Sequence, residues 1–528
     1  MTSTTTRVNA GLICGVLCFL VLAPVTGRAE SEKIRGLLEN EDCTDFFYGR
    51  TIPEGKAGEV VDRYVDVLAS GKVSSLFLNI NARRTNYRSD VWGEFWEGYD
   101  PNAGDDQPFF SAIPKEQVKN WRRLVHNMWQ LDHEGVDYPA RVIKRCREHS
   151  IHPWISLRMN DVHINDNLDH PFHDELWRRP ELFRKNHPGY YARALDYAHP
   201  EVRDYFWKLI VEVLDRYDID GLELDFLREP YLFSAGEEQA GGKLLTEWLK
   251  EIRQLVNEKA QKRGHPIFVG VRVPAEVETA LGLGLDAPTW SREKLVDLVV
   301  VAPRWQTVHF DLPIQKWRQQ LGDNVSLAGG LESRYQPEGS GAVRHVTPED
   351  AAGAALSVWS AGADAVYLFN YFQGPSGKGL DRYIQLLQNL ESPEQLQRLP
   401  RVIGVTTRDV QVPGKPDSPP LPATGSQLQF PLQLGPRPPM GWNAEVTIEL
   451  SAIGTSGGSP SVQINEVSAK PVMMQKTKPN MLKFVAPASA VSGDGSDIIT
   501  VIGSKEKPLT VRRVEVRLAP NDEDSKVK

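Results

Sequence analysis

Two carboxylates stand two residues apart inside an apolar run in DGLELDFLREP, residues 220–230, where Glu223 and Asp225 alternate with Leu222, Leu224 and Phe226. On a β-strand that spacing puts both acids on one face and the three large apolar side chains on the other. In a closed barrel the apolar face packs on the surrounding helices and the acids point into the lumen, where an unpaired carboxylate is costly. Asp225 falls nearer the C-terminal end of the run, the end at which barrel strands open into their functional mouth. A pair of carboxylates there can supply a proton from one member and a nucleophile or base from the other, the set that hydrolysis of an acetal such as a glycosidic bond requires. The plainer account is that both acids pair with inward arginines such as Arg158 or Arg272, although a buried ion pair is a weak route to stability.

Asp225 is the expected nucleophile, or the base if water attacks directly. Glu223, one pleat deeper, tunes Asp225 by like-charge repulsion or holds a substrate hydroxyl. The proton donor must come from another strand end. RVPAEVE (272–278) offers Glu276, with Glu278 behind it, and GGLES (329–333) offers Glu332. Glu276, just beyond the Pro274 that ends its strand, is the preferred donor and Glu332 its rival; for both the competing account is an exposed loop glutamate. RMNDVHINDNLDHPFHDE (158–175) places Arg158, Asn160, Asp161 and His163 where substrate-binding loops belong. NARRTNYRSDVW (81–92) adds Asn81, Arg83, Arg84, Tyr87 and Trp92, while Arg228, Arg272, Asn370 and Tyr371 complete the polar rim. Arg158 or Arg272 could also receive a carboxylate or sulfate of a substrate. Flat aromatic faces suit pyranose rings, so Trp92, Trp96, Tyr99, Trp177, Trp305, Tyr371 and Phe372 are rim candidates, with Trp305 the favoured platform. His163, His170, His173, Asp166 and Asp174 raise a metal site, but their spacing matches neither HExxH nor a compact calcium loop.

The elements that must carry these residues repeat one theme, a short apolar strand, a loop and an amphipathic helix. The expected strands are SSLFLNI (74–80), PWISLRM (153–159), YARALDY (191–197), IDGLELDF (219–226), IFVGVRV (267–273), LVDLVVVA (295–302), VSLAGGL (325–331) and DAVYLFN (364–370). Between two of them, Val202, Tyr205, Phe206, Leu209, Ile210 and Val213 recur at helical spacing behind Pro200. TPED (347–350) has the form of a capping box before AAGAALSVW. Eight strands alternating with helices predict a (β/α)8 TIM barrel over 70–395. The competitor, an open doubly wound sheet, has no GxGxxG or GxxxxGK[ST] stretch after its first strand to support it.

The flanks read differently. A basic residue, the apolar run AGLICGVLCFLVLAPV and the small-residue cut after Ala29 predict a signal peptide over 1–29, with an uncleaved anchor as the alternative. Residues 30–69 then form an extension packing on the barrel. The Pro-rich VPGKPDSPPLPATG (412–425) predicts a linker over 396–425, and the short β-type runs beyond it a small β-sandwich over 426–520 with a disordered tail at 521–528. A formal charge of −8 and a pI near 5.9 argue against nucleic-acid binding. With signal removal only Cys43 and Cys146 remain, too few for a disulfide scaffold, and whether they pair is open.

RALDYAHPEVRDYFWKLIVEVLDRYDIDGLELDFLREP, preceded by SLRMNDVH and followed by VGVRVP and LGLGLDAPTW, resembles secreted bacterial proteins of the glycosyl-hydrolase-like family 10 type. The resemblance covers roughly 70–395 and implies a TIM barrel that hydrolyses glycosidic bonds. Asp220, Glu223 and Asp225 also echo the chitinase motif DGxDxDxE, but Leu227 stands where its glutamate would be. The expectation is therefore a secreted or periplasmic glycoside hydrolase acting on a poly- or oligosaccharide. A carboxylate pair suffices for that chemistry, so no cofactor and no metal are expected, and the partner is a carbohydrate. Two alternatives stand beside it: a non-catalytic carbohydrate-binding or cell-surface protein on a degenerate barrel, and a metal-dependent hydrolase using the His-rich loop 163–174.

Overall fold

The computed structural model describes Met1, Thr2 and residues 33–186, 189–304, 307–338, 342–371, 379–408, 410–415, 419–451, 460–472, 480–504 and 508–521. The expected signal peptide, Trp305, Phe372 and the expected tail beyond 521 lie outside the described residues. Residues 33–528 form one compact unit.

Eight parallel strands close into a barrel: β1 Gly36–Glu41, β2 Ser75–Asn79, β3 His152–Arg158, β4 Gly221–Asp225, β5 Phe268–Pro274, β6 Leu298–Ala302, β7 Ser326–Glu332 and β8 Ala365–Phe369. Each pairs with its sequence neighbour, and β1 closes the ring against β8 with Leu38 opposite Tyr367. The lumen is filled from below by Leu38, Phe77, Trp154, Leu298, Val300 and Tyr367. Trp154 stacks on Phe77 with centroids 4.6 Å apart. It fits because β4 begins with Gly221: a Cβ there would lie 2.3 Å from the indole. Above Trp154 this side of the lumen turns polar: Ser156 and Glu223 stand in register with Gly270, followed by Arg158, Asp225 and Arg272.

Two expectations about the strands are corrected. YARALDY (191–197) is not a barrel strand; within it only Leu195 makes an isolated bridge, to Phe183. Its alternating apolar residues are buried in a loop, where Asn160 brackets Leu195 by accepting from its N–H and donating to its carbonyl. The missing strand is β1, so the stretch expected as an extension at 30–69 is the barrel's first βα unit, with its helix at Ala57–Ser70. GLLENE hides its strand character because Glu39 and Glu41 face the helical layer rather than water. Burial, and then the neighbouring Glu41, pushes the Glu39 carboxyl well above its ordinary range.

The helices form as their spacing predicts. Pro200–Arg216 starts on a proline and buries Val202, Phe206, Leu209, Ile210 and Val213. Pro348–Ser360 has the reciprocal capping box between Thr347 and Asp350. Beyond the barrel comes an antiparallel all-β unit. Its central strand Trp442–Leu450 alternates buried and half-buried residues along its whole length. This unit begins earlier than expected: Arg401–Gly404 is already one of its strands, lying so close to the barrel that a Cβ on Gly353 would meet the Val402 carbonyl at 2.0 Å. The described residues of 412–425 are likewise tied down. Leu421 is fully buried and Ala423–Gly425 pairs with Leu509–Val511, so a Pro-rich composition here marks a packed crossing rather than a tether. Cys43 and Cys146 are buried free thiols. Among the described residues no helix is long and apolar enough to cross a membrane.

Candidate active site

Both acids of the DGLELDF strand point into the lumen, at different depths and with different partners. Asp225 ends β4 and is 2% exposed. Its Oδ1 accepts from the N–H groups of Leu227 (3.1 Å) and Arg228 (3.0 Å) and from Arg272 Nε (2.9 Å), and its Oδ2 accepts from Arg272 Nη2 (2.8 Å). A planar guanidinium held against a carboxylate by two parallel bonds is the strongest of such pairings and fixes both groups. Arg272 also lies 3.8 Å over the Phe369 ring. One pleat below, Glu223 is fully buried, and its Oε2 accepts from Tyr367 Oη (3.0 Å) and Asn40 Nδ2 (3.2 Å). Burial, reinforced by the Asp225 charge above it, raises the Glu223 carboxyl to about 7.

That shift has a measurable consequence. A native carboxyl that titrates near 7, against an ordinary 4.5, holds a proton the unfolded chain has released. Its contribution to stability is complete below about pH 4.5 and disappears as pH rises through about 7. Glu223→Gln keeps an oxygen for the two donors and carries no charge. The variant is therefore expected to lose less of its urea midpoint between acidic and mildly alkaline pH than the parent chain; equal slopes would show that Glu223 is not the buried titrating group.

Around the mouth the remaining charges interlock. Arg158 bridges Asp42 (2.7 Å) and Asp161 (2.5 Å). Burial pushes Asp42 and Asp161 up, but the opposing charges of Arg158 and its neighbours outweigh it and hold both below the usual carboxylate range. Arg83 is buried against Asp161, His173 and the Trp177 ring. Burial lowers it to about 10. Asn81 braces Arg158 through backbone bonds in both directions, as Asn160 does Leu195. Asn81, Arg83, Asn160 and Asp161, expected as sugar contacts, are thus the internal frame of the loops, and Arg158 and Arg272 spend their charge on protein acids.

What stays open is a cavity of about 540 Å³ walled by His163, Arg228, Glu332, Arg334, His345, Asn370 and Tyr371. Glu332 ends β7, is 1% exposed, and brings Oε1 to 3.8 Å from Arg272 Nη1. Asp225 and Glu332 therefore flank one guanidinium from the ends of two different strands. Asn370, in the left-handed region at φ 61°, accepts from the Asp42 N–H at 3.2 Å and so ties the end of β8 to that of β1.

Glu276 stands apart from this arrangement. It precedes the short helix Val277–Gly282, lies 3.5 Å from Arg408, and lines a second cavity of about 710 Å³ where the barrel meets the β unit. Glu276, the donor preferred from position, thus lies with the β unit while its rival Glu332 lines the mouth cavity, because position after a strand does not say which side of the loop a side chain takes. Glu278 is bound to Lys316 at 2.5 Å. The expected rim aromatics Trp92, Trp96, Tyr99 and Trp177 are core residues, Trp92 stacking on Tyr205 at 4.0 Å. Among the described residues an exposed aromatic near the charged mouth is Tyr190, whose ring has the Arg304 guanidinium 5.2 Å away. Arg304 in turn binds both oxygens of the buried Glu229, at 3.0 and 3.1 Å. In the His-rich loop, His173 is occupied by Arg83 and the Ile164 and Asn167 carbonyls, and His170 packs on Trp121. Burial lowers them to about 3 and about 4 respectively, and among the described residues no group of three such ligands forms a metal site.

Residues missed by the sequence reading are Asp42, Arg334, His345, Tyr190 and the Arg304–Glu229 pair. The acid-rich ENED run at 39–42 was the available signal for Asp42, hidden because its strand was not recognised.

Residues 111–247 match the family model described as Glycosyl hydrolase-like 10, a narrower span than the 70–395 expected. The matched stretch carries β3, β4 and the Arg158–His163 loop. No curated protein matches the chain. Among solved structures it is similar to the PgaB (BpsB) glycoside hydrolase domain from Bordetella bronchiseptica, at 11% identity and TM-score 0.40 over 68% of this chain and 99% of that one. It is similar also to the noncanonic maltogenic alpha-amylase AmyB from Thermotoga neapolitana, at 11% identity and TM-score 0.36 over 89% and 99%. A family GH18 chitinase from Chromobacterium violaceum overlaps at 11% identity and TM-score 0.37 over 92% and 89%. Superpositions this loose say nothing about the site.

Proposed function

We propose that this chain is a glycoside hydrolase whose catalytic centre is the mouth cavity, with Glu332 as the proton donor and Asp225 as the nucleophile or base. The observation that carries the reading is the pair of carboxylates on the Arg272 guanidinium, 2.8 Å from Asp225 and 3.8 Å from Glu332. The match of residues 111–247 to a glycosyl hydrolase-like family supports it. Two carboxylates on the ends of different strands, one in a cavity wall, suit protonation of a leaving oxygen by one and attack by the other. Arg272 keeps Asp225 fixed for its part. Glu223 acts through Asp225, as a neutral floor below about pH 7 and a second negative charge above it. The leader-like N-terminal run supports export of the enzyme.

One observation favours a second reading, a carbohydrate-binding protein without turnover. Both Asp225 oxygens are engaged, and Leu227, at the chitinase-type acid position, is fully buried. Release of reducing ends from a panel of neutral and acidic polysaccharides, with and without chelator, separates the readings. Chelator-insensitive turnover is expected; saccharide binding without turnover favours the second reading, and turnover abolished by chelator contradicts both.

A further inference from the structure

Resting on the glycosidase reading for its chemistry, we infer that the mouth cavity takes an anionic saccharide, one carrying a carboxylate or a sulfate ester beside the scissile bond, and that Arg228 receives that group.

The lining is lopsided in charge. Among the described lining residues Arg228 and Arg334 face a single carboxylate, that of Glu332, with His163 and His345 beside them. Arg228 is the informative member. It is only 7% exposed, yet its Nε and Nη1 have no hydrogen-bond partner among the described residues. Its Nη2 reaches His163 Nε2 at 3.3 Å. The nearest acids are Asp42 at 3.7 Å and Glu229 at 3.9 Å, and each is held more closely by another arginine, Arg158 at 2.7 Å and Arg304 at 3.0 Å. A buried guanidinium with unmet N–H groups is unfavourable unless something completes it. The Arg228 N–H on Asp225 Oδ1 fixes its backbone, so the fork is presented in a set place next to the proposed catalytic carboxylate. Carboxylates and sulfates match that fork in shape and charge, whereas a sugar hydroxyl satisfies one N–H and leaves the charge uncompensated.

The test uses the full chain and matched ligand pairs: a polyuronate with its methyl-esterified form, and a sulfated galactan with its desulfated form. Affinity is read by calorimetry on the Glu332→Gln protein and turnover on the parent chain. At least one acidic member should bind about tenfold more tightly than its neutral counterpart, with affinity falling as salt rises. Arg228→Gln should erase that difference and Arg228→Lys should restore part of it, with melting curves confirming that each variant folds. The pair that responds tells carboxylate from sulfate. Equal binding of charged and neutral members, a preference unchanged in Arg228→Gln, or binding of none of the four overturns the inference. Cleavage of neutral members alone overturns it while leaving the glycosidase reading intact. Arg228-dependent binding of an acidic member without cleavage upholds it and sinks that reading instead.

Discussion

Glu332→Gln is expected to lower kcat on natural polysaccharide by on the order of 10²–10⁴, the usual contribution of a positioned proton donor. The change is nearly isosteric and removes only the capacity to give and take a proton, so the melting temperature should stay close to that of the parent. The loss should depend on the leaving group. Activated aryl glycosides leave without a proton and should lose far less than unactivated sugars. If the enzyme retains configuration, azide should restore turnover by replacing the water that Glu332 would have activated, giving a glycosyl azide. Glu276→Gln, in the cleft with Arg408, should show neither signature. A leaving-group dependence in Glu276→Gln instead would make Glu276 the proton donor.

Arg272→Met should produce the largest loss of stability, roughly 3–5 kcal/mol, because it leaves the Asp225 charge buried without its partner. Glu332 loses its neighbour at 3.8 Å in the same step. Adding Asp225→Asn should recover part of the loss, since the two side chains act as a unit. Urea unfolding measures both. A deficit below about 1 kcal/mol would mean that this pair does not hold the upper lumen together.

The acid pair was legible in the sequence because period-two alternation is a direct consequence of strand geometry: Leu222, Leu224 and Phe226 on one side leave Glu223 and Asp225 no place but the lumen. Pairing with Arg272 was legible as an alternative for the same reason, one strand away at the same level. The repeating strand–helix pattern carried the barrel. It failed at both ends of the same rule. GLLENE buries glutamates on its helical face and so lacks an apolar signature, while YARALDY alternates without being a strand because its buried side chains serve a loop. The Glu276 and Glu332 choice lay beyond the sequence for a different reason. Both follow strand ends, and what separates them is the β unit, whose residues Leu428 and Phe430 share the Glu276 cavity. Likewise the aromatic rim could not be told from core, since Trp92 and Trp177 are placed by tertiary partners many residues away, Tyr205 and Arg83.

The most direct test of the central claim is a crystal structure of Glu332→Gln holding an oligosaccharide substrate. The account predicts the chain of sugars in the mouth cavity, with the scissile oxygen at hydrogen-bond distance from residue 332 and the anomeric carbon turned toward Asp225. Sugar lodged beside Glu276 and Arg408, or on the β unit with the mouth empty, would contradict it.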